Sequence, residues 1–171
     1  YSARMNADNK ILDWFKFGIQ SFVSLSNYEG ENASLSSVLN MSPLAKAYNE
    51  DGSLYLYPNG FLTPLYYKET EELNQYLTLY GNFYTDIDIP FLKGLKYKLN
   101  YTPNYRTQRY YSYNPYNLSE TGTAEKRYYS NFDYSLDNRV NYTKNFGRHS
   151  VDATFAAGIE KRTYDYTSAF S

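Results

Sequence analysis

Apolar and polar residues alternate along most of this chain with a period of two, as in a β-strand that has one apolar face. The clearest run lies between Trp14 and Ser26, where apolar side chains share one parity and mostly polar side chains occupy the other. The apolar set is Phe15, Phe17, Ile19, Val23 and Leu25. Helical periodicity is scarce, so the pattern predicts an all-β protein.

The same alternation recurs along the chain and predicts six strands in total. They are residues 1–8, 14–26, 73–89, 95–102, 128–142 and 151–160. Several are longer than the roughly five or six residues usual in soluble sheets. A tilted strand that crosses a membrane needs about nine to eleven residues, and these strands meet that requirement.

The predicted connections alternate strictly in length. Short turns rich in Pro, Asn, Asp and Gly lie at residues 9–13, 90–94 and 145–148, whereas residues 27–72 and 108–124 form long connections. In an antiparallel meander, this order puts every short turn at one end of the sheet and every long loop at the other. Outer-membrane barrels are built in this way, with short periplasmic turns and long extracellular loops.

The sequence therefore predicts an antiparallel up-and-down meander of about six long strands, part of a transmembrane β-barrel. Known barrels have at least about eight strands, so we expect residues 1–171 to be a fragment of a longer barrel domain. Aromatic residues near the short turns favour a membrane interface. They are Trp14, Phe15, Phe91, Tyr97 and Phe146.

Two alternatives remain open from the pattern alone. A soluble extracellular aromatic-rich β-sandwich that binds carbohydrate would also alternate apolar and polar residues. A barrel enzyme or a passive porin would need its functional residues outside this chain.

Composition narrows the function classes. The chain has 23 Tyr in 171 residues, yet its mean hydropathy is −0.69, as expected for strands that are apolar on one face only. The net charge of −1 gives no electrostatic case for binding nucleic acid. Cys is absent, which excludes disulfides and thiolate metal sites. The first ten residues lack the apolar core of a signal peptide, so we expect both ends to be cuts through a longer polypeptide.

Little in the sequence favours catalysis. The one histidine, His149, falls in a predicted short turn, where no cleft or base would surround it. Asp86 and Asp88 share a strand face about 7 Å apart, and we expect them to face the lumen near the periplasmic rim. The sequence predicts no enzyme activity, no cofactor and no metal site.

Three stretches resemble SusC/RagA-type TonB-linked outer-membrane proteins. They are RMNAD with LDWFKFG (residues 4–8 and 12–18), SPLA with YNEDG (42–45 and 48–52), and GNFY with LKGLKYKLNY (81–84 and 92–101). The resemblance implies a bacterial outer-membrane barrel of about 22 strands around an N-terminal plug. It further implies a SusD-like lipoprotein lid, energy from TonB through a part of the protein that has no match here, and glycan or peptide substrates.

Aromatic side chains in the long connections are the predicted substrate contacts, because rings with hydroxyls suit both stacking and adaptable hydrogen bonds. The predicted residues are Tyr55, Tyr57, Tyr66, Tyr67, Tyr110, Tyr111 and Tyr113. The alternative is that these tyrosines pack the loops against each other or against the lid protein.

Overall fold

The computed structural model describes residues 1–29, 35–116 and 122–171. Six strands form one antiparallel sheet in chain order, which confirms the predicted meander. They are β1 (Ser2–Leu12), β2 (Phe15–Glu29), β3 (Glu71–Asp88), β4 (Leu95–Asn114), β5 (Thr123–Phe146) and β6 (His149–Phe170). A sandwich needs two packed sheets, so that alternative is wrong for the described strands.

The chain divides into two compact units. The first unit consists of residues 1–26, 76–108 and 129–166, which are the greater part of the strands and the three short turns. The second unit consists of residues 27–75, 109–128 and 167–171.

Cross-strand contacts identify two faces of the sheet in the first unit. Side-chain pairs on the polar face join Asp86 to Lys98, Arg106 to Asp133, and Asn141 to Asp152. On the other face, the ring of Tyr101 lies 6.2 Å from that of Phe83 and 5.9 Å from that of Tyr134, centroid to centroid. The two parities that alternate in the sequence thus lie on opposite faces.

A polar residue of β5, Asn138, interrupts the alternation on the apolar face. Asn138 of β5 points to the apolar side, where its carbonyl accepts a 2.6 Å hydrogen bond from the Tyr97 hydroxyl of β4. This bond gives the side-chain carbonyl of Asn138 a hydrogen-bond partner, because a polar group without one in an apolar environment costs free energy.

The apolar face of the first unit has no second layer over it. Of the described Leu, Ile, Val, Phe and Met side chains, only that of Leu54 is buried, and it belongs to the second unit. On β6, Phe155 is 69% and Ile159 62% exposed. This single layer therefore cannot obtain its stability from a conventional hydrophobic core.

The second unit carries a small folded connection between β2 and β3. It contains the helix α1 (Leu35–Leu39), and Tyr48 and Leu54 form an antiparallel bridge on either side of the turn at residues 49–52. The hydroxyl of Thr63, which is 3% exposed, accepts a hydrogen bond from the N–H of Leu65 at 3.4 Å and caps a 3-10 helix, Pro64–Lys68.

The strands are longer than the alternation indicated. β4 continues to Asn114 and β5 begins at Thr123, so both strands extend into the predicted connection of residues 108–124. β2 and β3 likewise extend into residues 27–72. His149 is the first residue of β6 instead of a turn residue. The larger added segments, residues 103–114 and 161–170, are rich in Tyr, a strong strand former. They also contain many polar residues on both parities, so hydrophobic alternation is hard to detect there.

Glycine permits two of the short turns. Gly94, between β3 and β4, has φ +92°, and Gly147, between β5 and β6, has φ +59°, values that L side chains rarely adopt. The two sites differ in their surroundings. A Cβ on Gly94 would overlap the carbonyl oxygen of Thr143 on β5, whereas a Cβ on Gly147 would meet nothing within 4 Å.

None of the helices in the described parts of the chain has the length and apolar character needed to cross a membrane.

Candidate functional site

The polar face carries rows of opposite charges near the short turns. The Lys98 ammonium lies 3.0 Å from the Asp86 carboxylate, and the Lys96 ammonium lies 3.4 Å from that of Asp88. The two carboxylates predicted to share a face therefore each pair with a lysine of β4. Exposed ion pairs of this kind are typical of a solvated wall.

A charged cavity of about 540 Å³ lies further along the same face. Two ion pairs line it: the guanidinium of Arg106 lies 2.8 Å from the Asp133 carboxylate, and that of Arg162 lies 2.6 Å from the Glu160 carboxylate. Asp133 also acts electrostatically on Arg162. The four groups are therefore one network with as many positive as negative charges.

Tyrosine rings and amides complete the charged cavity. Tyr80 of β3 and Tyr164 of β6 line it, together with Asn104 and Asn131. Beside it, the ring of Tyr129 packs on that of Tyr166 with centroids 4.7 Å apart. The sequence did not predict this site. Tyr80 and Tyr164 stand on the polar parity of their strands, and an aromatic residue at a polar position is the signal from which they could have been found.

The predicted substrate-binding tyrosines all lie in the second unit. Tyr66 and Tyr67 are in the 3-10 helix with ring centroids 5.5 Å apart, and Tyr66 also packs against Tyr116 at 5.8 Å. The side-chain amide of Asn114 donates a hydrogen bond to the Tyr66 hydroxyl. Tyr66 thus packs the connection before β3 against the end of β4. This packing role is the alternative to substrate contact for these tyrosines.

The other predicted tyrosines differ in their exposure and in the face of the strand from which they project. Tyr55 and Tyr57 are 41% and 51% exposed. The guanidinium of Arg127 lies 5.4 Å from the centre of the Tyr110 ring, while Tyr111 and Tyr113 project from β4 on the opposite parity. The structure therefore does not bring all seven rings into one site, and their contact with substrate stays a prediction.

A hydrogen bond between Tyr116 and Glu69 perturbs the titration of Tyr116 in the second unit. The Tyr116 hydroxyl donates to the Glu69 carboxylate, and this bond, with some burial and the negative charge, raises the pKa of Tyr116 to about 12. Because the raised pKa belongs to the folded state, the contact stabilises the fold fully below pH 10, the ordinary value, and is lost as the pH rises through about 12.

Replacing Glu69 by Gln is expected to lower the pKa of Tyr116 toward its ordinary value, because the charged acceptor is removed. Ultraviolet difference titration of each protein against its Tyr116→Phe counterpart isolates this one tyrosine. Glu71→Gln, two residues along the chain, is the control and is expected to leave the titration unchanged. An unaltered Tyr116 titration in Glu69→Gln would contradict the assignment.

The described parts of the chain contain no group of three or more His, Asp or Glu that could hold a metal ion. His149 is exposed at the start of β6.

No protein-family model matches this sequence, and no curated protein matches it significantly. Solved structures do match it. The RagAB peptide importer in its closed-closed state is 22% identical with a TM-score of 0.75, and in its open-open state 22% identical with a TM-score of 0.74. A structure of the RagAB peptide transporter is 23% identical with a TM-score of 0.73.

Each match covers 100% of this chain and 21% of the matched chain. This chain therefore spans about a fifth of the length of the transporters it resembles. At this identity the similarity establishes the fold, and it agrees with the fold implied by the three sequence motifs. In its fold, the chain is a SusC/RagA-like segment.

Proposed function

We propose that this chain is part of the barrel wall of a TonB-dependent importer in the bacterial outer membrane. The observation that carries the proposal is the division of one uncovered sheet into an apolar face and a charged face. Lipid would cover the apolar face, and the charged face would line the lumen, as in transmembrane barrels. The match of the whole chain to RagAB structures supports the same assignment.

The proposal includes the partners that the family resemblance implies. Residues 1–171 would be a fragment of the barrel domain, and the connections after β2 and β4 would face the cell exterior. There they would act with a SusD-like lipoprotein on oligosaccharides or peptides. TonB would supply energy through a part of the protein outside this chain.

Cysteine labelling tests the proposed topology, because the chain has no Cys of its own. We expect a membrane-impermeant maleimide to label Glu50→Cys, in the exposed turn between β2 and β3, on intact cells. Arg148→Cys, in the short turn between β5 and β6, is expected to react only after the outer membrane is opened. Equal labelling of both variants on intact cells would contradict a membrane-spanning sheet.

Uptake tests the importer itself. A strain that lacks the full-length protein is expected to lose uptake of an oligosaccharide or of short peptides, and a strain that lacks TonB is expected to lose the same uptake. Unchanged uptake of both substrate classes would reject the importer while leaving the topology untouched.

A further inference from the structure

We propose that Arg109 and Lys126 form a site for the phosphate of a lipid head group in the outer leaflet of the membrane. These two residues, the basic pair, stand on the parity of β4 and β5 that the proposed function assigns to lipid. The inference rests on the membrane-spanning part of that function, and it adds a ligand of the outer wall that does not depend on the substrate carried.

Contacts across β4 and β5 identify the face to which the basic pair belongs. The guanidinium of Arg127 lies 5.4 Å from the centre of the Tyr110 ring, so these two residues face each other on one side of the sheet. Arg109 immediately precedes Tyr110 and Lys126 immediately precedes Arg127, so both members of the pair project from the other side. In antiparallel strands these are diagonal positions about 7–8 Å apart. Two long side chains at that spacing can reach one phosphate group.

The basic pair differs from several basic residues of the polar face in its lack of a carboxylate partner. Four side chains of the polar face each lie at most 3.0 Å from a carboxylate oxygen, namely Lys98, Arg106, Arg127 and Arg162. Within residues 1–29, 35–116 and 122–171, no carboxylate forms an ion pair with Arg109 or Lys126. On a face covered by lipid, two such cations need an anion from the lipid itself.

The place of the basic pair along the strands suits a head group better than the hydrocarbon. A tilted strand crosses the hydrocarbon in about nine to eleven residues, whereas β4 has 20 residues and β5 has 24. Arg109 and Lys126 stand near the strand ends that border the connection proposed to face the cell exterior. Both are exposed, and the rings of Tyr111 and Tyr128 on the same parity are 36% and 37% exposed. Tyrosine is typical of the membrane interface.

The chemistry of this face matches a phosphate joined to acyl chains. The planar guanidinium of Arg109 suits two phosphate oxygens at once, and the ammonium of Lys126 adds a point charge. The hydroxyl of Tyr111 can donate a further hydrogen bond, and on this proposal Tyr111 contacts lipid rather than substrate. Tyr111 and Lys126 also line a groove of about 230 Å³ with Ala124 and Ala169, whose methyl groups suit an acyl chain.

Native mass spectrometry of the full-length protein in detergent tests the inference with three probes. They are bisphosphorylated lipid A, the same lipid A with both phosphates removed, and inorganic phosphate. We expect the phosphorylated lipid to bind about tenfold more tightly than the dephosphorylated lipid, because only the former can accept charge-assisted hydrogen bonds from the basic pair. Inorganic phosphate at the same concentration is expected not to displace it, since it lacks the acyl chains.

Variants assign the binding to the basic pair. Arg109→Gln and Lys126→Gln are each expected to weaken binding of the phosphorylated lipid about tenfold, since each removes one charge-assisted contact. Arg127→Gln is the matched control, because it removes a positive charge from the neighbouring position on the opposite face. Arg109→Lys keeps the charge and is expected to retain most of the binding. Heat-modifiable mobility on SDS gels checks that each variant is folded, and Lys126→Gln carries the test if Arg109→Gln does not assemble.

Four results would overturn the inference. Equal affinity for the two lipids would show that the basic pair only extends its charges into water, as long basic side chains do at an interface. Displacement by inorganic phosphate would indicate a site for a free anion. No effect of either Gln replacement, or an equal effect of Arg127→Gln, would place the lipid elsewhere. Equal cysteine labelling of the two turns on intact cells would instead reject the membrane-spanning sheet itself, so the two failures are distinguishable.

Discussion

Replacing Leu136 by Arg is expected to prevent assembly of the protein in the outer membrane, whereas the same replacement of the adjacent Ser135 is expected to be tolerated. Leu136 lies on the apolar face near the middle of β5 (Thr123–Phe146), and Ser135 lies on the polar face, where it lines the charged cavity. Both residues are half-buried, so the two variants differ mainly in the face of the sheet that receives the arginine. On the proposed arrangement, the guanidinium of Leu136→Arg would meet lipid near its midplane, at a cost of about 2–4 kcal/mol.

The measurement is the fraction of protein in the outer-membrane fraction that shows the heat-modifiable mobility of a folded barrel. The new guanidinium of Ser135→Arg would face water, so its effect is expected to be small. Equal assembly of the two variants, or a greater loss for the Ser135 variant, would show that the apolar face is not covered by lipid.

Replacing Gly94 by Ala is expected to destabilise the protein much more than the same change at Gly147. Both glycines sit in short turns at positive φ, for which an L side chain costs roughly 1–2 kcal/mol. At Gly94 the added Cβ would also overlap the backbone carbonyl of Thr143, and the Gly94 carbonyl itself accepts a 2.9 Å hydrogen bond from the Thr143 N–H. The turn therefore cannot relax away from β5 without losing that bond.

Thermal unfolding of the full-length protein in detergent, followed by the heat-modifiable band, measures the difference between the two turns. Gly147→Ala is the matched control, because its Cβ would meet nothing within 4 Å and only the φ penalty applies. Equal losses at the two sites would show that the close approach of Gly94 to Thr143 does not contribute to stability.

Much of the fold was predictable because one face of the sheet is apolar and the other is polar. The period of two assigned residues such as Phe83 and Tyr101 to one face and Asp86 and Lys98 to the other, and the contacts agree with that assignment. Strand number and chain order followed from the same period together with the short turns. The strand ends did not, because Tyr-rich segments such as residues 109–114 extend the ladder without a clear apolar period.

The charged cavity could not be predicted from the sequence. Nothing local in the sequence indicates that Arg106 meets Asp133 of β5, or that Glu160 and Arg162 of β6 lie beside them. Register between strands decides which side chains become neighbours, and a shift of two residues would keep every face while changing every pair. Tyr66 is a second example of contacts that the sequence does not indicate, because its contacts with Asn114 and Tyr116 depend on where β4 ends.

The sequence by itself determined the all-β class, the six strands, their two faces and the alternation of short and long connections, since these depend on the pleat and on turn chemistry within a few residues of each position. The tertiary structure alone decided the strand lengths, the pairing of the charges and the site between β3 and β6. The physical reason is that hydrophobic alternation specifies the side of the sheet on which a residue lies, whereas hydrogen-bonded register specifies the residue beside it.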